Sequence, residues 1–494
     1  MSTASLEGET GFKRVPSGIA GLDTILRGGF FQGGMYIIQG PPGAGKTILT
    51  NQICFHHAIG GGRGLFVTLL AENHARMIGN LREMSFFDEA RIPDQMTYLS
   101  AFRELREGGL KGLIDLLRRE IQHRRSTMLV IDGLITVQTS SDSDLAFKEF
   151  VHDLQEVALA TDCTMFLTTS AGDTMSPEQT MVDGLIKLSD HFSGSRTESS
   201  LEVRKFRGSG FLRGAHSYEI TGDGVAVHPR IEALLAEPSR ADERVFGRIS
   251  SGNGRLDTLL GGGVPVGSTT MMMGPSGIGK TTLGLQFLSR SSEAEPGLMF
   301  GFHESANRLK AKANAISPGL PALLDSGIVE LLWQAPTGDM LDAYGGRLLE
   351  IIHRRKVKRL FIDGLTGFKN VAIDPSRMGL FFTALSNELR VLGVTACYSL
   401  EIPDILGLAI HVPMDDLASL ADNMLLLRYV ELRTRLYRLI SIVKVRDSDF
   451  NPSVHQFAIT SRGVEIHDNP ESAETILSSL SFGTAPADGT LPKI

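Results

Sequence analysis

The sequence predicts an α/β protein of two tandem domains with the same fold, each built on a mostly parallel sheet flanked by helices. Three observations predict this architecture. The glycine-rich pattern G-x-x-x-x-G-K-T occurs twice, starting at Gly40 and, a domain-sized interval later, at Gly274. The sequence around it repeats in register. Strand-like apolar runs alternate with helix-like segments through each half.

The domain boundaries follow from the repeat. The chain has 494 residues, enough for two or three domains, and the repeat favours two. We place the first domain at residues 1–235 and the second at 246–470. The polar, proline-containing stretch 236–245 is predicted to be a linker. Residues 471–494 lack apolar periodicity and are predicted to be a disordered tail.

Each copy of the glycine-rich pattern follows an apolar run that predicts a buried strand, at residues 35–38 and 269–273. This is the Walker A motif. Its backbone N–H groups wrap phosphates, its lysine reaches the β and γ oxygens, and its threonine hydroxyl binds Mg²⁺. The helix that follows adds the partial positive charge of its N-terminus. We therefore predict two ATP sites, formed by Gly40, Gly43, Ala44, Gly45, Lys46 and Thr47 and by Gly274, Gly277, Ile278, Gly279, Lys280, Thr281 and Thr282.

An aspartate ends a second apolar run in each half, at Asp132 and at Asp363, with nearly the same spacing as the two loops. Such a run also describes an ordinary strand end, but its recurrence favours a Walker B motif. We predict that Thr47 with Asp132, and Thr281 with Asp363, hold the Mg²⁺ shell at the two sites.

Hydrolysis needs a carboxylate that orients or deprotonates the attacking water. Glu72 and Glu304 follow strand-like runs between the two motifs of each half, and their spacing again tracks the repeat. They are the candidate bases. The alternative is a solvated glutamate that opens a helix, where acidic residues are favoured.

A Lys-x-Arg pair lies near the end of each half, Lys205 with Arg207 and Lys444 with Arg446. On a strand, residues two apart point to the same face, so both cations of a pair would act together. Such a pair could neutralise charge that develops on a γ-phosphate, as an arginine finger does. The alternative is that each pair lies on a solvated sheet edge and has no role at the site. The repetition of the pair in both halves favours a functional role.

Composition limits which other classes of protein this chain could belong to. The formal charge of −7 gives no support for nucleic-acid binding. The three cysteines form no C-x-x-C pair, so we expect reduced thiols and no zinc site. We find neither a signal sequence nor an apolar span long enough to cross a bilayer, and we expect a soluble cytoplasmic protein.

Together these residues resemble the KaiC family within the RecA/RadA-type ATPases, over residues 10–465. The resemblance rests on the paired Walker A loops, on the Ser-Gly and Leu-Asp pairs that precede both, and on residues 201–208 and 425–431. It implies two RecA-like domains and a homohexamer of two stacked rings with ATP at the subunit boundaries. The pairs Lys205/Arg207 and Lys444/Arg446 would then reach the neighbour's γ-phosphate. A KaiB-like protein or another signalling protein is the implied partner.

The resemblance also implies that the N-terminal ring is a slow ATPase and that the C-terminal ring phosphorylates itself. This chain departs from the family pattern in two places. The family has adjacent glutamates at the catalytic position, and here Ala71 and His303 replace the first of each pair. In the segment that carries the family's two phosphoacceptors, Ala418 replaces the first, and Ser419 is the remaining candidate.

The motifs and the resemblance leave three functions open. The leading hypothesis is a double-domain ATPase with serine autokinase activity in its second half, which acts as an ATP-driven signalling switch. The second is a DNA-handling motor of recombinase or helicase type, but the acidic segment 138–144 after Asp132 would repel phosphates. The third is a nucleotide-gated scaffold with little turnover, which the replaced glutamates leave open.

Overall fold

The structure is a computed structural model, which describes residues 13–69, 74–170, 180–193, 196–237, 247–302, 304, 306–316, 319–334, 340–403, 420–432, 434–446 and 448–467. Contacts divide the chain into two compact units, Met1–Leu234 and Leu235–Ile494. Most of the predicted linker and all of the predicted tail lie outside the described residues, so their bounds stay predictions. Among the described helices, none is long and apolar enough to cross a bilayer.

The first domain alternates strands and helices, as the sequence predicts. Its strands are β1 (Arg14–Val15), β2 (Phe30–Phe31), β3 (Met35–Gln39), β4 (Gly64–Thr68), β5 (Met96–Ser100), β6 (Met128–Asp132), β7 (Thr164–Thr169), β8 (Gly184–Ser193), β9 (Arg196–Phe206), β10 (Ala215–Thr221) and β11 (Gly224–His228). Its described helices are α1 (Ala20–Ile25), α2 (Lys46–Ile59), α3 (His74–Leu81), α4 (Phe102–Arg124), α5 (Leu134–Thr139), α6 (Asp144–Thr161) and α7 (Ile231–Leu234), with a 3₁₀ helix at Glu89–Arg91.

Nine described strands of this domain form one sheet in the order β11-β10-β9-β8-β3-β7-β6-β4-β5. From β8 to β5 all neighbours are parallel. The strands β8 to β11 add an antiparallel extension. Strands β1 and β2 form a separate pair. The carboxyl ends of β3, β6 and β7 therefore meet at one edge, where α/β sheets bind their ligands.

Helices cover both faces of the parallel part, which explains why its strands are apolar without alternation. Tyr36 and Ile38 of β3 pack with α2 on one face. Ile37, between them, packs with α4 and α6 on the other face. This double burial fixes β3, and with it the loop that follows Gln39.

The second domain repeats the first. Its strands are β12 (Arg248–Ile249), β13 (Val264–Pro265), β14 (Thr269–Gly274), β15 (Gly297–Gly301), β16 (Val329–Trp333), β17 (Arg359–Asp363), β18 (Thr395–Glu401), β19 (Asn423–Leu432), β20 (Arg435–Val445), β21 (His455–Thr460) and β22 (Gly463–Ile466). Its described helices are α8 (Gly254–Leu259), α9 (Lys280–Leu288), α10 (Ala306–Ile316), α11 (Leu320–Asp325), α12 (Leu341–Arg355), α13 (Leu365–Val371) and α14 (Met378–Val391), with a 3₁₀ helix at Pro375–Arg377.

The nine described strands of its main sheet have the order β16-β15-β17-β18-β14-β19-β20-β21-β22. Each strand takes the place of its counterpart in the first domain, with the same parallel core and antiparallel extension. The predicted fold class, two tandem α/β domains with mostly parallel sheets, is confirmed.

Candidate nucleotide sites

Each Walker A loop joins the central strand of its sheet to a helix that begins at the motif's lysine. In the first domain the loop leaves β3 after Gln39, and α2 begins at Lys46. Gly43 and Gly45 have φ of +86° and +82°. Gly277 and Gly279 repeat this with +74° and +119°. Side chains disfavour this left-handed region by about 1–2 kcal/mol, so the glycines let the loop turn its backbone inward.

The two lysines lie in the same arrangement. Lys46 Nζ donates to the carbonyls of Gly40 (2.7 Å) and Pro41 (2.9 Å). Lys280 Nζ donates to Gly274 (2.6 Å) and Pro275 (2.8 Å). Burial lowers the pKa of both lysines, and the nearby carboxylates oppose this shift. A partly desolvated ammonium that bonds only to neutral carbonyls is a ready partner for a phosphate.

The threonine and the aspartate of each half meet beside the loop. Thr47 Oγ1 donates to Asp132 Oδ2 over 3.2 Å. Thr281 Oγ1 donates to Asp363 Oδ2 over 2.9 Å. A hydroxyl and a carboxylate are the hard oxygen donors that Mg²⁺ prefers, and this ion usually keeps waters and phosphate oxygens as its other ligands. The residues therefore fit Mg²⁺, which would be held by these four side chains in two pairs.

A second hydroxyl, which belongs to neither Walker motif, supports each aspartate. Thr168 of β7 donates to Asp132 Oδ1 and accepts from the Gly133 N–H (3.2 Å). In the second domain Ser399 of β18 does the same, with Asp363 Oδ1 at 2.7 Å and the Gly364 N–H at 2.8 Å. The signal was present, since both hydroxyl residues follow their aspartate at the same separation along the chain. The hydroxyl holds the carboxylate so that Oδ2 faces the loop threonine.

The structure describes only one of the two candidate bases. Glu72 lies outside the described residues, as do Ala71 and His303. Glu304 forms an ion pair through Oε1 with Lys312 of α10. Its Oε2 atom is buried and has no hydrogen-bond partner within the described part of the chain. The roles of Glu72 and Glu304 stay predictions.

The Lys-x-Arg pairs lie where β9 and β20 end, and the arginine of each pair is one residue beyond its strand. Lys205 Nζ and Arg207 Nη2 both donate to the Thr180 carbonyl, over 2.8 Å each. Lys444 Nζ donates to the Ala421 carbonyl over 2.7 Å. Each of these strands forms a hairpin with the strand before it. In both hairpins a β-bulge shifts the register directly after the residue that pairs with the lysine.

Arg446 differs from Arg207 because it pairs with a buried carboxylate. Its Nη1 atom lies 3.1 Å from Asp422 Oδ1. Arg390 of α14 reaches Asp422 Oδ2 over 3.3 Å. The Thr269 N–H donates to the same Oδ2 over 3.0 Å. Asp422 therefore fixes the position of Arg446, a partner that the sequence analysis did not find. The finger roles of both pairs stay predictions.

A cavity of about 430 Å³ adjoins the first loop. It begins at Thr47 and Ile48 and extends along α3. The other residues that line it are Arg76, Met77, Asn80, Leu81 and Met84. It lies next to the phosphate loop, and polar and apolar side chains line it in about equal parts, which offers a nucleoside both contact surface and hydrogen-bonding groups. The candidate phosphoacceptor Ser419 and its neighbour Ala418 lie outside the described residues.

A tyrosine holds the first loop in place. The buried Tyr218 hydroxyl donates to the Ala44 carbonyl over 2.7 Å. We expect Tyr218→Phe to lower the unfolding free energy of the first domain by about 1 kcal/mol, because a buried carbonyl loses its donor. Chemical denaturation measures this. Phe457 occupies the matching position of the second domain, so an unchanged second transition is the internal control. An unchanged first transition would show that the bond contributes nothing.

Two glutamines at matching positions also tie each Walker helix to the last strand of its sheet. Gln52 Oε1 accepts from the Val225 N–H over 2.7 Å. Gln286 Oε1 accepts from the Val464 N–H over 3.1 Å. Neither glutamine belongs to a predicted site motif, although the two repeat at the same interval as the loops themselves.

The glycine turn, the lysine that begins the following helix and the threonine–aspartate corner define each domain as a P-loop nucleotide-binding domain of the ATPase type. A family model described as "ATPase: KaiC" matches residues 15–232 and 249–471. The chain belongs to this KaiC family of ATPases.

The curated relatives agree along almost the whole chain. The "Circadian clock oscillator protein KaiC" of Picosynechococcus sp. is 25% identical over 95% of this chain and 92% of its own length. "Circadian clock oscillator protein KaiC 1" of Synechocystis sp. is 24% identical with the same two coverages. The KaiC of Prochlorococcus marinus is 24% identical over 98% of this chain and 96% of its own length.

Proposed function

We propose that this protein hydrolyses ATP with Mg²⁺ at both sites and that its second domain phosphorylates Ser419, so that the chain works as an ATP-driven signalling switch. One observation supports ATP chemistry at both sites most strongly. The lysine, the threonine–aspartate pair and the supporting hydroxyl recur with the same bonds in both domains.

Each group has a defined task in this reaction. Lys46 and Lys280 would leave their loop carbonyls and bind the β and γ oxygens. Thr47 and Thr281, with Asp132 and Asp363, would hold Mg²⁺, which neutralises charge on the phosphates when it is bound.

The remaining groups complete the two sites. The cavity beside Thr47 would take the nucleoside. Glu72 and Glu304 are proposed to orient the attacking water. Charge that develops on the γ-phosphate would be met by the Lys-x-Arg pairs.

We further propose that the chain assembles as a homohexamer of two rings. The pairs at Lys205 and Lys444 lie at the ends of strands in the antiparallel extension, and they would reach a neighbour's nucleotide. The relatives described above are named as circadian clock oscillator proteins. A KaiB-like signalling partner and a cytoplasmic location stay predictions of the same kind.

The autokinase proposal has a direct test. Purified protein incubated with Mg-ATP labelled on the γ-phosphate should retain label, and Ser419→Ala should lose most of it. Because the family's other acceptor position holds Ala418, a single acceptor should account for the signal. Free phosphate without label on the protein would contradict the kinase and leave an ATPase. Equal labelling of the variant would place the acceptor elsewhere.

One observation favours a second function, a nucleotide-gated scaffold with little turnover. Glu304, the candidate base of the second site, is paired with Lys312. A carboxylate whose oxygen is held by an ammonium has fewer acceptor positions left for an attacking water. Phosphate release far below one turnover per bound ATP over hours, with ATP retained at both sites, would favour the scaffold.

A further inference from the structure

The helix that follows the candidate base can be compared position by position between the two domains. In the first domain this helix is α3, whose Met77 packs in the core that includes α2. In the second it is α10, whose Leu309 packs in the core that includes α9. Met77 and Leu309 are separated along the chain by the same interval as Glu72 and Glu304. The two helices therefore match without a gap, from the glutamate onwards.

At this interval Lys312 of α10 takes the place of Asn80 of α3. Asn80 lines the cavity that begins at Thr47, so this position of the helix faces the side of the phosphate loop. The second domain thus has a cation where the first has an uncharged amide. The chain itself supplies the matched comparison.

Lys312 binds the candidate base of its own site. Its Nζ atom donates to Glu304 Oε1. Glu304 follows β15, whose last residue, Gly301, pairs in register with Asp363 at the end of the Walker B strand. The ion pair therefore lies close to the edge of the sheet where the phosphates of ATP would bind.

The ion pair leaves the carboxylate without an open oxygen. Lys312 occupies Oε1, while Oε2 is buried and has no hydrogen-bond partner among the residues that the structure describes. A carboxylate orients an attacking water by accepting a hydrogen bond from it. While the ion pair is closed, Glu304 cannot do so. It could accept from a water once Lys312 has moved away.

Exposure makes this contact reversible. The side chain of Lys312 is 48% exposed and that of Glu304 is 25% exposed. Solvent screens an ion pair of this kind, so its closed form is favoured by roughly fivefold at most. Because the lysine can turn into water, opening the pair leaves no buried ammonium. The contact can therefore limit the rate of the site without abolishing it.

We propose that Lys312 restrains Glu304, so that the second site hydrolyses ATP more slowly than it would with an uncharged residue at this position. This inference rests on the proposed hydrolysis, in which Glu304 orients the water. Lys312 acts only through Glu304 and is a positioning residue. Since Asn80 carries no charge, the first site lacks this restraint.

The test isolates the second site in the full chain with Lys46→Ala. In that background Lys312→Asn, which reproduces the first domain's residue, should raise the rate of phosphate release at saturating ATP by about fivefold. The KM for ATP should change little, because the phosphate loop is untouched. Lys312→Arg keeps a cation that can hold Oε1, so its rate should lie closer to that of the parent. A merely structural role of Lys312 would give a lower rate instead of a higher one.

Two further variants test whether the effect passes through the ion pair. With Glu304→Gln also present, Lys312→Asn should no longer raise the rate, since the two residues would act as one unit. Lys310→Asn, on the same helix, removes a lysine that pairs with Asp325 instead, and it should leave the rate unchanged. The reciprocal change, Asn80→Lys with the second site disabled by Lys280→Ala, should slow the first site.

Three outcomes would overturn the proposal. The rate could stay the same or fall in Lys312→Asn. It could rise equally in Lys310→Asn, which would trace the effect to the charge of the helix. It could still rise in Lys312→Asn when Glu304→Gln is present. Failure of the proposed hydrolysis looks different, because the second site would then release no phosphate with either residue at position 312.

Discussion

Lys280→Ala is expected to lower the ATP affinity of the second domain by roughly 30-fold to several thousand-fold. Loss of one partner from a desolvated charged hydrogen bond costs about 2–5 kcal/mol. Lys280 is 9% exposed, and it lies where the loop would bind the phosphates of ATP. Lys46→Ala should do the same to the first domain.

Titration with labelled ATP checks this result, because each single variant should bind one equivalent with normal affinity and the double variant none. Lys310→Ala is a suitable control, since Lys310 forms a surface ion pair with Asp325 at 3.3 Å and lies outside the loop. Two equivalents bound normally by Lys280→Ala would contradict the assignment of the second site.

Asp422→Asn is expected to have the second large effect, on both stability and turnover. Breaking a buried ion pair costs about 3–5 kcal/mol. Arg446 and Arg390 are 60% and 33% exposed, so solvent screens them. We therefore expect a loss of about 1–2 kcal/mol in the second domain. Because Arg446 would no longer be held, phosphate release from the second site should also slow.

The first domain provides the matched control for this substitution. Asp183 accepts the Met35 N–H over 2.9 Å, as Asp422 accepts that of Thr269. Leu159 stands where the second domain has Arg390. Asp183→Asn should therefore have the smaller effect on its own domain. Equal effects of the two substitutions, measured by denaturation and phosphate release, would show that the arginines do not depend on Asp422.

The parallel core was predictable because its signals are local. The apolar runs at 35–38 and 269–273 end where a glycine-rich loop must begin, and both are strands in the structure. The runs that end at Asp132 and Asp363 are strands for the same reason. The antiparallel extension was not foreseen, since a sequence reveals strands more readily than their partners.

The support of the site was less predictable than its motifs. The Tyr218 hydroxyl reaches Ala44 across 174 residues, and Asn253 reaches the Val464 carbonyl across 211. No local pattern reports such contacts. The repeat held a usable signal for Gln52 and Gln286, but a glutamine in a helix has no chemistry that draws attention to it.

The sequence by itself determined the tandem repeat and the fold of each domain, and it predicted the loop, lysine, threonine and aspartate of each candidate nucleotide site. It could do so because a Walker loop is short and its chemistry depends on adjacent residues. Only the tertiary structure decided how the two sites differ. Strand pairing places Glu401 opposite Gly274 in one domain and leaves Ser170 at that place in the other. Packing of α14 brings Arg390 to Asp422. These contacts join distant segments, so they exist only once the sheets have formed.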